Sequence, residues 1–357
     1  MNRFKKVLLF FCIGFILFSM FSCGGKSEVK NVAPDETLIE SKTTTDEKNV
    51  IKVVSTIFPI YDIVRNIVPD DGYELILLLD SGIDIHNFSP TAKDILKIGD
   101  ADLFIHIGGE SDDWVDRTIT SSQNDKVKVI NLMTKLSSLV KEEEIVEGMQ
   151  HEHEHEKETH EEGEEHEEGE EHDHEHEEHE NDEHIWLSVR NAKEMTRVIA
   201  DELAALDSEN KDVIKNNASA FIAKLDELDK RYSEAAQNKK YDTVLFGDRF
   251  PFRYLVDDYG IKYFAAFSGC SAEAEASFET VAFLAGKLDE LGLKHICALN
   301  GAEPRIAKTI INTSKDKDRD IVLFNSMEGI TNINDAENTN YLKIMEENLE
   351  AFKDAID

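Results

Sequence analysis

Positive charge is what this chain has least of. Against 74 Asp and Glu it carries 39 Lys and Arg, a formal net charge of −35 over 357 residues. Such a surface repels nucleic acid and suits cationic ligands, and no basic patch with interleaved aromatics offsets it. Catalytic signatures are missing too. There is no nucleophile elbow and no phosphate-binding glycine loop, Gly108-Gly109 being a lone pair. A hydrolytic metal site would lack an evident general base, so no catalytic residue is assigned and a non-enzymatic role is expected. Cysteine is also sparse, at four residues. Cys12 and Cys23 belong to the N-terminal segment. Cys270 and Cys297 remain, either as a pair or as two buried free thiols.

What the chain has in excess is histidine beside acid. Ten of its 13 histidines lie between His151 and His184, in the run HEHEHEKETHEEGEEHEEGEEHDHEHEEHENDEH. That run holds 19 acidic residues and one lysine, a net of −18, which leaves −17 for the rest of the chain. Imidazole is a common metal ligand at neutral pH, and neighbouring carboxylates draw cations in. His151, His153, His155, His160, His166, His172, His174, His176 and His179 therefore form a candidate auxiliary metal-collecting segment. The run has too little apolar surface to offset ordering entropy, so a disordered loop is expected over 141–183.

The N-terminus reads MNRFKK, then VLLFFCIGFILFSMF, then Ser22-Cys23-Gly24-Gly25. A basic start and about 15 apolar residues describe a secretory signal over 1–22, short of the roughly 20 residues a span needs. Cys23 after Ser22 resembles a bacterial lipobox, in which the cysteine is lipidated. A plain signal peptide and an uncleaved anchor are the alternatives. The polar stretch 23–50 reads as a tether. The expected location is outside the cytoplasmic membrane, lipid-anchored to the cell envelope on its periplasmic side or surface.

About 270 residues remain, enough for two domains. Strands are predicted at Lys52–Ser55, Glu74–Leu79, Leu103–Ile107 and Val127–Ile130, then at Thr243–Phe246, Lys262–Ala265, His295–Leu299 and Ile321–Phe324. Helices are predicted between them, and a last one over Tyr341–Ala355. This alternation marks α/β lobes with parallel sheets, one over 51–206 and one over 240–357. Between them, 207–239 reads as one long helix. Ser208 is its predicted cap, and Val213, Phe221, Leu225, Leu228 and Tyr232 form its apolar stripe. A stiff connector between two α/β lobes implies a ligand cleft between the sheets.

Two histidines fall where structure meets that cleft. His86 follows a strand in SGIDIHNFSPTAKDI. His184 stands in DEHIWLSVRNAKEM, where the acidic run returns to structure. Both are candidate metal ligands. These segments make the chain resemble the zinc and manganese solute-binding lipoproteins of ABC importers, in the zinc branch with a His-rich loop. The likeness spans about 51–357. It is carried by Thr56-Ile57-Phe58-Pro59-Ile60, His86-Asn87-Phe88-Ser89-Pro90, Asp100-Ala101-Asp102-Leu103-Phe104 and Asp182-Glu183-His184-Ile185-Trp186-Leu187-Ser188. Phe267-Ser268-Gly269-Cys270-Ser271-Ala272-Glu273-Ala274-Glu275 and the ending from Tyr341 to Leu349 complete it.

The resemblance implies a rigid linking helix and metal ligation by His86 and His184. It also implies capture of Zn2+, with Mn2+ as the alternative, for an ABC permease and its ATPase, by a monomer. A surface metal buffer or adhesin is the rival role. Relatives place a third ligand where this chain has Arg249, and a guanidinium repels a cation. Asp248, with Arg249 holding its carboxylate, is one substitute. Glu303, Cys270 and a member of the acidic run are the others.

Overall fold

A computed structural model describes residues 50–80, 82–122, 126–150, 180–271 and 275–357. The first sheet arises from β1 (Ile51–Ser55), α1 (Phe58–Ile67), β2 (Tyr73–Leu77), α2 (Ala92–Gly99), β3 (Leu103–His106), α3 (Trp114–Ser122), β4 (Lys128–Asn131) and the single turn α4 (Leu132–Lys135). Two long helices follow, α5 (Val189–Leu206) and α6 (Lys211–Gln237). The second sheet is built from β5 (Thr243–Phe250), α7 (Arg253–Asp258), β6 (Lys262–Ser268), α8 (Phe278–Leu291), β7 (His295–Leu299), α9 (Arg305–Thr313) and β8 (Asp320–Phe324). The helix α10 (Tyr341–Ile356) ends the chain.

Each sheet has four parallel strands, in the orders β2-β1-β3-β4 and β6-β5-β7-β8. Strands covered on both faces read as short apolar runs, and β3 is buried along its whole length. Helix starts carry their own signals. Thr91 and Asp94 form a reciprocal capping box on α2, Ser188 caps α5 and Ser277 caps α8. Gly292 closes α8 with φ 62°, a left-handed position that glycine adopts without steric cost. In each sheet the strand order reverses beside its first strand, so the carboxyl ends there open a crevice suited to ligands.

The predicted connector is a helix of 27 residues, about 40 Å long at 1.5 Å per residue. Its start differs from expectation. Asn210, not Ser208, flanks the first turn, and no side chain caps it. Val213 points to solvent and Ile214 takes its place in the stripe, followed by Ala218, Phe221, Leu225, Leu228, Tyr232 and Ala236. The rod is not bare. The helices α1, α5 and α10 pack on it, and Tyr232 donates to the Met345 carbonyl at 2.7 Å. One continuous cluster of buried side chains runs from Val54 and Phe104 in the first sheet to Phe246 and Phe324 in the second.

The disorder expected over 141–183 does not hold for the described residues at either end of that range. Glu142 pairs with Asn181, Asp182 N–H donates to the Lys141 carbonyl, and Gln150 N–H donates to the Ala266 carbonyl. Residues 151–179 lie outside the described residues, as do residues 1–49, on which the expected signal, Cys23 and the expected tether fall. Among the described residues, no helix is long and apolar enough to cross a membrane.

Candidate metal centre

His86 is placed by the loop that follows β2. Leu77, Leu78 and Leu79 are buried, and Asp84 then accepts the His86 backbone N–H at 3.1 Å, opening a short 3-10 turn. Ile85 anchors the turn at 1% exposure. The His86 ring is oriented by Ser111 Oγ, 2.8 Å from Nδ1.

His184 is fixed more tightly and is fully buried. Asp182 Oδ1 accepts the His184 backbone N–H and lies 2.9 Å from its Nδ1. The next turn is locked in place. Trp186 Nε1–H donates to the Ser326 carbonyl at 2.9 Å, while Tyr341 and Tyr254 donate their hydroxyls to the carbonyls of Trp186 and Asp182, each at 2.7 Å. A carboxylate on one ring nitrogen fixes the orientation of the ring, so the other nitrogen, Nε2, faces the cleft.

The structure brings these two rings together from different elements. Nε2 of His86 lies 3.2 Å from Nε2 of His184. A third donor joins them that sequence reasoning missed. Glu328 Oε1 is 3.1 Å from His184 Nε2 and 3.3 Å from His86 Nε2. Donors about 2.0–2.1 Å from a tetrahedral Zn2+ stand roughly 3.3 Å apart, so the triangle has the size of a zinc coordination face.

Glu328 sits four residues beyond β8. It is aimed by Met327, a non-glycine residue at φ 65° whose N–H donates to Asn325 Oδ1 at 2.9 Å. Asn348 on α10 in turn bonds both the N–H and the carbonyl of Asn325. A strained residue held from several sides in this way is typical of a functional loop. A signal for Glu328 existed. It is the first acid after a strand whose carboxyl end faces the cleft, whereas attention went to Glu303 after β7.

Electrostatics follow from burial. Desolvation opposes charge on His184, but its bonds to Asp182 and Glu328 outweigh that and lift its pKa to about 10. Burial likewise opposes ionisation of Glu328. The two histidines and the Arg249 charge nonetheless hold it well below the ordinary carboxylate range. A metal-free cluster therefore retains a proton that an arriving cation displaces.

The other expected ligands separate. Asp248 accepts Leu299 N–H at 3.1 Å and Arg249 N–H at 2.9 Å, so its carboxylate ties β5 to β7 and stays out of the triangle. Glu303 is exposed and paired with Lys308 at 2.9 Å. Arg249 does not hold Asp248. Its guanidinium bonds Asp84 at 2.6 Å and approaches Glu328 Oε2 to 3.7 Å, beside the imidazoles. Cys270 does come close, its Sγ within 4.8 Å of ligand nitrogens of both His86 and His184. Cys270 and Cys297 are both free thiols, so the disulfide alternative does not hold. The nine auxiliary histidines from His151 to His179 lie outside the described residues.

Comparison with known proteins agrees with this architecture. The zinc-binding lipoprotein AdcA of Streptococcus pneumoniae is 31% identical over 307 residues, 86% of this chain and 56% of that protein. The chain thus spans little more than half the length of that relative. The high-affinity zinc uptake system protein ZnuA of Bacillus subtilis is 29% identical over 357 residues, covering 99% of this chain and 98% of that one. The Zn(II)-bound ZnuA-like domain of Streptococcus pneumoniae AdcA superposes with a TM-score of 0.63 at 27% identity, over 86% of this chain and 99% of that domain. The model of the ZnuA family, zinc-uptake complex component A, periplasmic, matches residues 53–355, and the chain belongs to that family.

Proposed function

We propose that this chain is an extracytoplasmic solute-binding lipoprotein that captures Zn2+ between its lobes and delivers it to an ABC permease and its ATPase. The observation that carries the reading is the convergence of His86 Nε2, His184 Nε2 and Glu328 Oε1 within 3.1–3.3 Å of one another. Two imidazoles with one carboxylate suit a tetrahedral ion, while Mn2+ favours more oxygen donors and six-coordination. Ser326 Oγ donates to Glu328 Oε2 at 2.7 Å, which leaves Oε1 as the free donor and disfavours the bidentate grip a larger ion would use. Relatives named for zinc binding and zinc uptake support the same cargo.

The remaining assignments extend this reading. Residues 1–22 act as signal and Cys23 carries the lipid anchor. The lobes are 51–206 and 240–357, joined by 207–239, and the histidines of 151–179 collect further ions. Calorimetry with Zn2+ on the full chain, alongside His86→Ala and His184→Ala, tests the core claim. One tight site is expected above a background of weak ones, and each variant should lose it. Retention of the tight site in both variants overturns the assignment.

A further inference from the structure

Beside the imidazole pair lies a cavity of about 300 Å³, lined by His86, Glu110, Ser111, Glu180, Glu183 and Cys270. Glu328 does not line it. Two features mark this space as suited to a cation. Glu183 is 2% exposed, yet its Oε2 accepts no hydrogen bond and lies 3.8 Å from His86 Nδ1. A buried carboxylate oxygen without a donor is costly, and a positive ion nearby offsets that cost.

The second feature is how the thiol is delivered. A Cβ at Gly269 would stand 3.0 Å from His184 Cε1 and 3.1 Å from the Phe250 carbonyl, so glycine is needed for the chain after β6 to lie against the ring. That approach sets Cys270 Sγ within 4.8 Å of ligand nitrogens of both histidines, while Glu143 accepts the Cys270 N–H at 3.3 Å.

We propose that Cys270 is a thiolate ligand of the cation held by His86 and His184, adding a sulfur donor to the site. The proposal rests on those two histidines being ligands. As the sulfur–metal bond forms, the thiol gives its proton to solvent, and no electrons are exchanged. Sulfur makes the site softer, favouring Zn2+ and Cd2+ and disfavouring Mn2+. It also fills a coordination position that Asp248 and Glu303 leave empty.

The test uses the full chain and Co2+ alone. Cobalt bound by thiolate absorbs strongly in the near ultraviolet, whereas imidazole and carboxylate ligation gives only weak ligand-field bands. The wild type should show the strong band, and Cys270→Ser should lose it while binding Zn2+ about tenfold or more weakly. Zn2+ should also slow alkylation at the Cys270 peptide, read by mass spectrometry so that Cys12 and Cys23 do not interfere. Ligand-field bands from tight stoichiometric cobalt without the sulfur band would overturn thiolate ligation and leave the imidazole site standing. A sulfur band undiminished in Cys270→Ser, or in His86→Ala, also overturns it. Absence of any tight cobalt site would remove the underlying reading as well.

Discussion

Glu328→Gln keeps the shape of the side chain and removes its charge, so it separates ligation from packing. Its carboxylate contacts both imidazoles, and Gln should weaken Zn2+ binding by more than the roughly 10–100-fold that loss of an outer hydrogen-bond partner causes. Asp182→Asn is that outer case. It should fall within the roughly 10–100-fold range, because only the support of His184 Nδ1 is changed. Titration calorimetry ranks the two, and an equal or reversed order would count against Glu328 as a ligand. Arg249 pulls the other way. Its fixed charge repels an incoming cation while compensating Asp84 and Glu328 in the empty protein. Arg249→Ala should destabilise the metal-free form yet tighten Zn2+ binding by about tenfold, roughly 1.4 kcal/mol. A larger metal-induced rise in Tm than in the wild type is the readout.

The proton held by the empty cluster has its own signature. His184 has a raised folded pKa of about 10 against an unfolded reference of 6.5. A raised folded pKa means the stabilisation is complete below the unfolded value and fades as pH climbs through the folded one. Metal-free protein should therefore lose stability between about pH 6.5 and 10, and His184→Phe should flatten that slope. Urea unfolding across this range in the presence of chelator measures it. A stability that rises with pH there would contradict the ion-pair network.

Among elements, legibility follows the strength of the local signal. Parallel strands were readable because covered sheets leave short apolar runs, and all eight predicted strands lie on or within two residues of the observed ends except β5 and β6, which run four and three residues longer. Those extensions matter, since Arg249 and Gly269 sit at or just past them and the charged Asp248-Arg249 pair hides the strand. The helix α5 was not recognised. Its buried stripe of Val189, Met195, Ile199 and Leu203 carries a helical period all the same, so the signal was present in the sequence. Glu328 had a positional signal, as the first acid after β8, but no periodic one. A left-handed Met327 and the bonds from Asn348 aim it, and neither leaves a periodic trace. In contrast, α6 was legible from its stripe. Leu225, fully buried at its centre, should cost about 2–5 kcal/mol on Leu225→Ala. Because α6 is packed by α1 and α10, that loss should lower one shared unfolding transition. Two separated transitions in calorimetry would show that the lobes melt independently.

For the whole molecule the informative quantity is where the charge lies. The stretch from 151 to 184 holds −18 of the net −35, and its described end, from residue 180, contributes Glu180 and Glu183 to the cavity wall beside His86. Concentrated negative charge next to a cleft raises the local cation concentration and speeds capture without adding contacts inside the cleft. Deleting 151–179 removes nine histidines but leaves His86, His184, Cys270 and Glu328 in place. The deletion should therefore lower total Zn2+ stoichiometry, slow association at low ionic strength and leave the tight dissociation constant nearly unchanged. Stopped-flow capture at two salt concentrations separates these effects, because the wild-type rate should fall with salt far more steeply than the deletion's. Should the tight site vanish with the segment, one of its side chains must complete the coordination, and the thiol of Cys270 would no longer be needed to fill it.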